Sequence, residues 1–272
     1  MADFFSPEWI DEVLSKYDSP LRKQGEEGMI DHSHFGRHAT LNQFRTMYCR
    51  SLDKRGPNIL YVGTGTDNPA ERLCASGPFE IAALLENMCF FDYRMTLIDI
   101  NKRNLETAQK RDEIFTHEPT AEWKAYLQRT AQCKEIKSKP DEISLSAKIP
   151  ETFRRKRSEG EIKFTVGDAV TTDFRQHEPF DMIECFNVLC YIDKQHKDAT
   201  LLALYNLVSA LQPGGILLID DVRFYDMYDY TPTHGTFIRD RIKQVRVLPI
   251  DLICEEMGAT RADRYLVYRK RN

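Results

Sequence analysis

Four polar endings, each closing an apolar run, carry the side chains in this sequence that could do chemistry. They are Gly63, Thr64 and Gly65 after ILYV, Asp99 and Ile100 in TLIDIN, Gly167, Asp168 and Ala169 in FTVGDAV, and Asn187, Val188, Tyr191 and Asp193 in FDMIECFNVLCYID. Glycines at 63 and 65 let a backbone turn tightly and approach a ligand closely. An acid at the end of the next strand can accept hydrogen bonds from both hydroxyls of a ribose. Asp168 can accept from the exocyclic amine of an adenine, with Ala169 and Val170 as an apolar bed for the ring, or the same residues can form a simple turn. Taken in this order, the endings point to an adenosine-containing ligand. The third glycine of a dinucleotide fingerprint is missing and no P-loop occurs, which argues against NAD and nucleoside triphosphates.

The elements that must position these residues alternate between strand and helix from residue 58 onward, the signature of a parallel sheet covered by helices. The strands are NILYVG, RMTLIDI, EIKFTVG, FDMIECFN, GGILLIDD and a terminal RYLVYRK. The fourth reads as buried on both faces, with Asp181 a strand-entry residue without a chemical role. Helices are expected at PFEIAALLENMCFF, at NKRNLETAQKRDEIF and at KQHKDATLLALYNLVSALQ, the last ended by Pro213 and Gly214, and EEMGAT reads as the end of another. Ahead of them, Ser6, Pro7 and Glu8 open a short helix. A second helix, LNQFRTMYCRSL, places Leu41, Phe44, Met47, Tyr48 and Leu52 on one face. The expected fold is α/β, a Rossmann-like doubly wound and mostly parallel sheet. A helical N-terminal segment covers 1–57 and the ligand-binding domain covers 58–272. A charged insertion at about 115–160, with AEWKAYLQRTAQ and a short strand ISLSAKI, is too long for an ordinary connection and reads as an inserted subdomain or flap.

With 272 residues, 42% of them hydrophobic, the chain can bury a sizeable core, and a net charge of -4 gives no bias toward nucleic acid or anionic membranes. FRRKRS, at 153–158, is a local basic run that reads as a solvated face. No apolar stretch has the length of a signal or a membrane span, so the expected location is the cytoplasm. Cys49, Cys74, Cys89, Cys133, Cys185, Cys190 and Cys254 form no CxxC pair, which suits reduced thiols and argues against a metal site.

The stretch FDMIECFNVLCYIDKQHKDATLLALYNLVSALQPGGILLI resembles class I S-adenosylmethionine (SAM)-dependent methyltransferases, and among them the CheR-type chemotaxis-receptor glutamate methyltransferases. It looks like that family's strand, Asn-Val-x-x-Tyr-x-Asp turn, helix and Pro-x-Gly strand. SHFGRH, at 33–38, is similar to the family's Thr-x-Phe-Phe-Arg segment, with Ser33, Phe35 and Arg37 in place and Gly36 departing. The resemblance covers roughly residues 30 to 222. It implies S-adenosyl-L-methionine as cofactor, S-adenosyl-L-homocysteine (SAH) as product and a protein glutamate as methyl acceptor. By the same resemblance Arg37 contacts the cofactor and shapes the transfer site, Asp99 holds the ribose, Asp168 stands near the adenine in place of an asparagine, and Asn187 and Tyr191 line the sulfonium. The insertion looks similar to a β-subdomain that in the family can dock a receptor tail. The family's acidic motif after the first strand is blurred here, leaving Asp67, Glu71 and Glu80 as candidates for the methionine ammonium.

Methyl transfer from a sulfonium is an in-line displacement, in which the enzyme positions a nucleophile and excludes water. A carboxylate acceptor needs no base; a hydroxyl or amine does, and His34, His234 or Asp221 are the candidates. Tyr225, Tyr228 and Tyr230 lie in a loop that could surround a substrate. Two alternatives stand beside the protein-carboxylate reading: the same chemistry on a small molecule, and a non-catalytic SAM-binding or interaction module.

Overall fold

The computed structural model describes residues 4–19, 38–52, 56–64, 81–82, 85, 92–106, 108–109, 161–186, 188–220, 242–243, 248–257 and 264–272. Seven strands, β1 (Asn58–Val62), β2 (Arg94–Asp99), β3 (Glu161–Val166), β4 (Phe180–Cys185), β5 (Leu211–Asp220), β6 (Ile250–Met257) and β7 (Arg264–Lys270), form one sheet in the order β3-β2-β1-β4-β5-β7-β6. The pairings from β3 through β5 are parallel, whereas β7 runs antiparallel to both β5 and β6. This is the expected doubly wound, mostly parallel sheet. The chain winds outward from β1 in both directions, so the strand order reverses between β1 and β4.

Alternation along each strand splits the core into two layers. Leu60, Val62, Ile183, Cys185, Leu217 and Ile219 face one side, while Ile59, Tyr61, Met182, Ile216 and Leu218 face the other. Helices α1 (Pro7–Lys16), α3 (Leu189–Gln195) and α4 (Lys197–Ala210) supply side chains to the first layer. Tyr48 and Cys49 of α2 (His38–Ser51), with Ile81, Ala82, Leu85, Leu105 and Ala108, supply the second. α1 starts as its sequence predicts: the Ser6 side chain accepts a hydrogen bond from the Trp9 N–H, with Pro7 at the first helical position.

Four expectations are corrected. Met47 is 72% exposed; Tyr48 and Leu52 face the core as expected, and Arg45 and Cys49 join them in place of Met47, because Arg45 finds a buried carboxylate to pair with. Glu255, Glu256 and Met257 end strand β6 rather than a helix; β6 is held by its antiparallel ladder with β7, a cross-strand pairing that overrides local helical preference. The helix read from Lys194 to Gln212 is two, α3 and α4, divided at His196, whose extended backbone and side-chain acceptor for the Ala199 N–H cap α4. β5 begins at Leu211, so Pro213 and Gly214 lie inside it, beside a register shift near Phe180. The insertion at 115–160 lies outside the described residues.

Candidate functional site

The reversal point brings the carboxyl ends of β1, β2 and β4 together, the place where open α/β sheets bind ligands. Gly63 leaves β1 with φ +81°, and a Cβ there would sit 2.3 Å from Val188 Cγ2. Its N–H donates to the Ile98 carbonyl at 2.7 Å, keeping the turn on the β2 ladder. Two requirements therefore fix glycine at this position, the left-handed backbone and the close approach of β4's exit. The next residue, Thr64, donates its hydroxyl to Asp99 Oδ2 at 3.0 Å, joining the ends of β1 and β2.

Asp99 is 5% exposed and its other oxygen, Oδ1, accepts from the Asn101 N–H at 2.7 Å and from Asn104 Nδ2 at 3.0 Å. Asn101 also opens the helical residues 102–106, its Oδ1 accepting from the Arg103 N–H. The carboxylate dictates which way the Asn104 amide faces, because only its nitrogen can donate. Asn104 Oδ1 is then left buried without a hydrogen-bond partner. A carboxylate flanked by an unfilled, water-excluded acceptor is an acceptor set suited to hydroxyl groups, as on a ribose.

At the end of β3, Gly167 is again required by contact: a Cβ would lie 2.9 Å from Thr172 Oγ1 and 3.0 Å from Ile98 Cγ2. Asp168 starts a tight turn, its Oδ1 accepting from the Val170 N–H at 2.9 Å and its carbonyl accepting from the Thr171 and Thr172 N–H groups. Its carboxylate is 1% exposed and is met by the segment after α1, with Ser19 Oγ donating to Oδ2 at 2.5 Å and the Tyr17 hydroxyl 3.5 Å from Oδ1. Burial, reinforced by the Asp168 charge, raises the Tyr17 phenol well above its ordinary range. Asp168 is therefore a latch for the N-terminal segment in this structure. Ala169 and Val170 are packed into the first core layer, so they offer no open apolar bed for a ring. In this structure the simple-turn geometry and the core engage these side chains.

At the end of β4, Val188 precedes α3 and touches Gly63, and its carbonyl accepts from the Tyr191 N–H at 3.0 Å. Tyr191 is half-buried on α3, and Asp193 Oδ1 accepts from Thr200 Oγ1. Ile100 is half-buried just beyond Asp99. The structure thus brings Gly63, Thr64, Asp99 and Val188 to one place, with Gly167 behind Ile98. Arg37, Gly65 and Asn187 lie outside the described residues, as do Asp67, Glu71, Glu80, His34, His234, Asp221 and the tyrosines of 224–237.

Sequence reasoning missed the Arg45–Glu184 pair. Arg45 Nε and Nη2 donate to Glu184 Oε1 and Oε2 at 2.7 and 2.6 Å, with the side chains 1% and 0% exposed. The signal was available, since a carboxylate inside a strand buried on both faces requires a partner. Burial beside Glu184 and Asp181 pushes the Cys49 thiol up to about 12, so it is protonated at neutral pH. Asp181, at the entry of β4, joins three elements: its carboxylate accepts from the Asn58 N–H and the Gln212 amide, and its carbonyl accepts from the Tyr48 hydroxyl. Cys185 and Cys190 are buried thiols. No helix among the described residues is long and apolar enough to cross a membrane.

No protein-family model matches the chain, and no curated protein matches it. Among solved structures it is similar to the N-methyltransferase NodS from Bradyrhizobium japonicum WM9 in complex with SAH, at 15% identity and TM-score 0.47, covering 97% of this chain and 98% of that one. It is also similar to magnesium protoporphyrin IX methyltransferase from Synechocystis PCC 6803 with bound SAH, at 12% identity and TM-score 0.47 over 92% of each chain. A third is an O-methyltransferase from Bacillus cereus in complex with SAH, at 13% identity and TM-score 0.46, covering 97% and 96%. With every score under 0.5, the reading of the site rests on the side chains described above.

Proposed function

We propose that this chain is a SAM-dependent methyltransferase that binds its cofactor at the carboxyl ends of β1, β2 and β4. One observation carries the reading: the Asp99 carboxylate stands at the end of β2, tied by Thr64 to the glycine turn of β1, at the point where the strand order reverses. When bound, the cofactor supplies a methyl group already activated on a sulfonium. What the chain does is hold and exclude. Asp99 takes the ribose, the Gly63 turn lets backbone approach, and Val188 and Tyr191 line the side toward β4, while Asn187 is assigned beside them from the sequence resemblance alone. Arg37 is the further residue we assign to the transfer site, from the sequence resemblance alone. Positioning of this kind supplies much of the acceleration in a displacement that needs no further activation of the electrophile.

The acceptor implied by the CheR-type resemblance, a protein glutamate, has no counterpart among the structures named above. We carry forward a small-molecule hydroxyl, amine or carboxylate, with the protein carboxylate as the alternative.

Isothermal titration of the folded chain with SAM and SAH, beside Asp99→Asn, tests the cofactor site. We expect saturable binding by the wild type and roughly tenfold or greater weakening in the variant, the scale of losing a charge-assisted hydrogen bond. A folded wild type that binds neither compound sinks the proposal and leaves the interaction-module reading. Labelled methyl transfer then separates the acceptors: a small labelled product supports the small-molecule reading, a base-labile ester on protein the glutamate alternative.

A further inference from the structure

The assignment of Asp99 to a ribose leaves an accounting problem that Asn104 solves. Two vicinal hydroxyls are two donors and need two acceptors. Asp99 Oδ1 already accepts from the Asn101 N–H and the Asn104 amide, which fills both of its lone pairs. A ligand hydroxyl on Oδ1 would displace one of these bonds, whereas Oδ2 carries the Thr64 hydroxyl on the side of the glycine turn. The amide that occupies Oδ1 presents its own carbonyl oxygen beside it, buried and without a partner. Asn104 is 3% exposed and its neighbour Leu105 packs in the second core layer, so a leucine at 104 would suit the burial. An asparagine there satisfies Asp99 with its nitrogen and leaves an acceptor that only an incoming donor can fill.

We infer that Asn104 is a specificity-determining residue of the cofactor site, and that the ribose diol is divided between Asp99 Oδ2 and Asn104 Oδ1. The inference rests on the methyltransferase reading for its ligand and adds to it a second residue that reads the sugar. It makes the site selective for ribose over either deoxyribose, through two separate residues.

The test is a binding cycle between one residue and one hydroxyl. SAH and its 2′-deoxy and 3′-deoxy analogues are titrated calorimetrically into the wild type, Asn104→Leu and Asn104→Ser, with circular dichroism to establish folding. The wild type should bind each deoxy analogue roughly tenfold more weakly than SAH. In the variants SAH itself should weaken by about that factor. Discrimination at one hydroxyl should then fall to near unity while discrimination at the other persists. If the leucine variant does not fold, the serine variant, which is smaller and still polar, carries the same comparison. Unchanged discrimination at both hydroxyls overturns the inference and assigns the Asn104 oxygen to a buried water. Loss at both hydroxyls also overturns it, because Asn104 would then act only by orienting Asp99. Wild-type protein that does not bind SAH defeats the methyltransferase reading instead, so the two failures are distinct.

Discussion

Asp99 and Glu184 are carboxylates on the strands flanking β1, both shut away from water, and they are held by different means. Asp99 accepts from a hydroxyl, a backbone N–H and a carboxamide. Glu184 is gripped by both arms of the Arg45 guanidinium. Neutral donors orient a carboxylate without cancelling its charge, and one of them can be exchanged for a ligand hydroxyl at little net cost. A bidentate guanidinium cancels the charge and admits nothing else. The difference separates a group that can work from a group that fastens α2 to the middle of the sheet.

The largest effect that could break this comparison is at the fastened end. Arg45→Met strands a buried charge and should cost roughly 3–5 kcal/mol in urea unfolding, while Arg45→Met with Glu184→Leu should recover most of it. A single variant within about 1 kcal/mol of wild type would mean that the pair does not fasten α2. Next comes pH on the same side of the sheet. The Cys49 thiol is raised from 9.0 to about 12. Its contribution is therefore complete below pH 9 and is lost as pH climbs toward 12, on the order of 1–3 kcal/mol. Tyr17 and Tyr48, raised chiefly by burial, act in the same direction. Unfolding between pH 8 and about 11 should show the decline, and Cys49→Ala should flatten part of it; a curve unaltered by that substitution would remove Cys49 from the account. The smallest effect extends the comparison to a third carboxylate. Ser19→Ala deletes one neutral donor to Asp168 and should cost about 1 kcal/mol. It should also increase proteolysis within residues 4–19 without exposing the sheet.

Much of the fold was legible because its signals are periodic. Strands β1 to β4 and β7 announce themselves as apolar runs, and Ser6–Pro7 announces the start of α1. β6 was not legible. IDLICEEM carries three acids and becomes a strand only because β7 offers it a ladder, a cross-strand pairing that the pattern within one segment does not register. The site divided along the same line. Gly63, Thr64, Asp99 and Val188 follow strand ends and could be placed by pattern. Asp168 could not be assigned between ligand and latch, because its partners Tyr17 and Ser19 lie about 150 positions earlier in the chain. Asn104 escaped for a different reason: in NKRNLETA it reads as one more polar residue of an exposed helix, and only its bond to Asp99 reveals the unfilled oxygen.

The position of β7 constrains the order in which this sheet can be assembled. Of the seven described strands it comes last in sequence but stands sixth in space, between β5 and β6. β6 precedes β7 in the chain, yet its ladder in the sheet is with β7 and not with β5. Until residues 264–270 are in place, β5 presents an open edge and β6 has no sheet to join. β7 therefore acts as a keystone, and removing it would cost the molecule two strands rather than one.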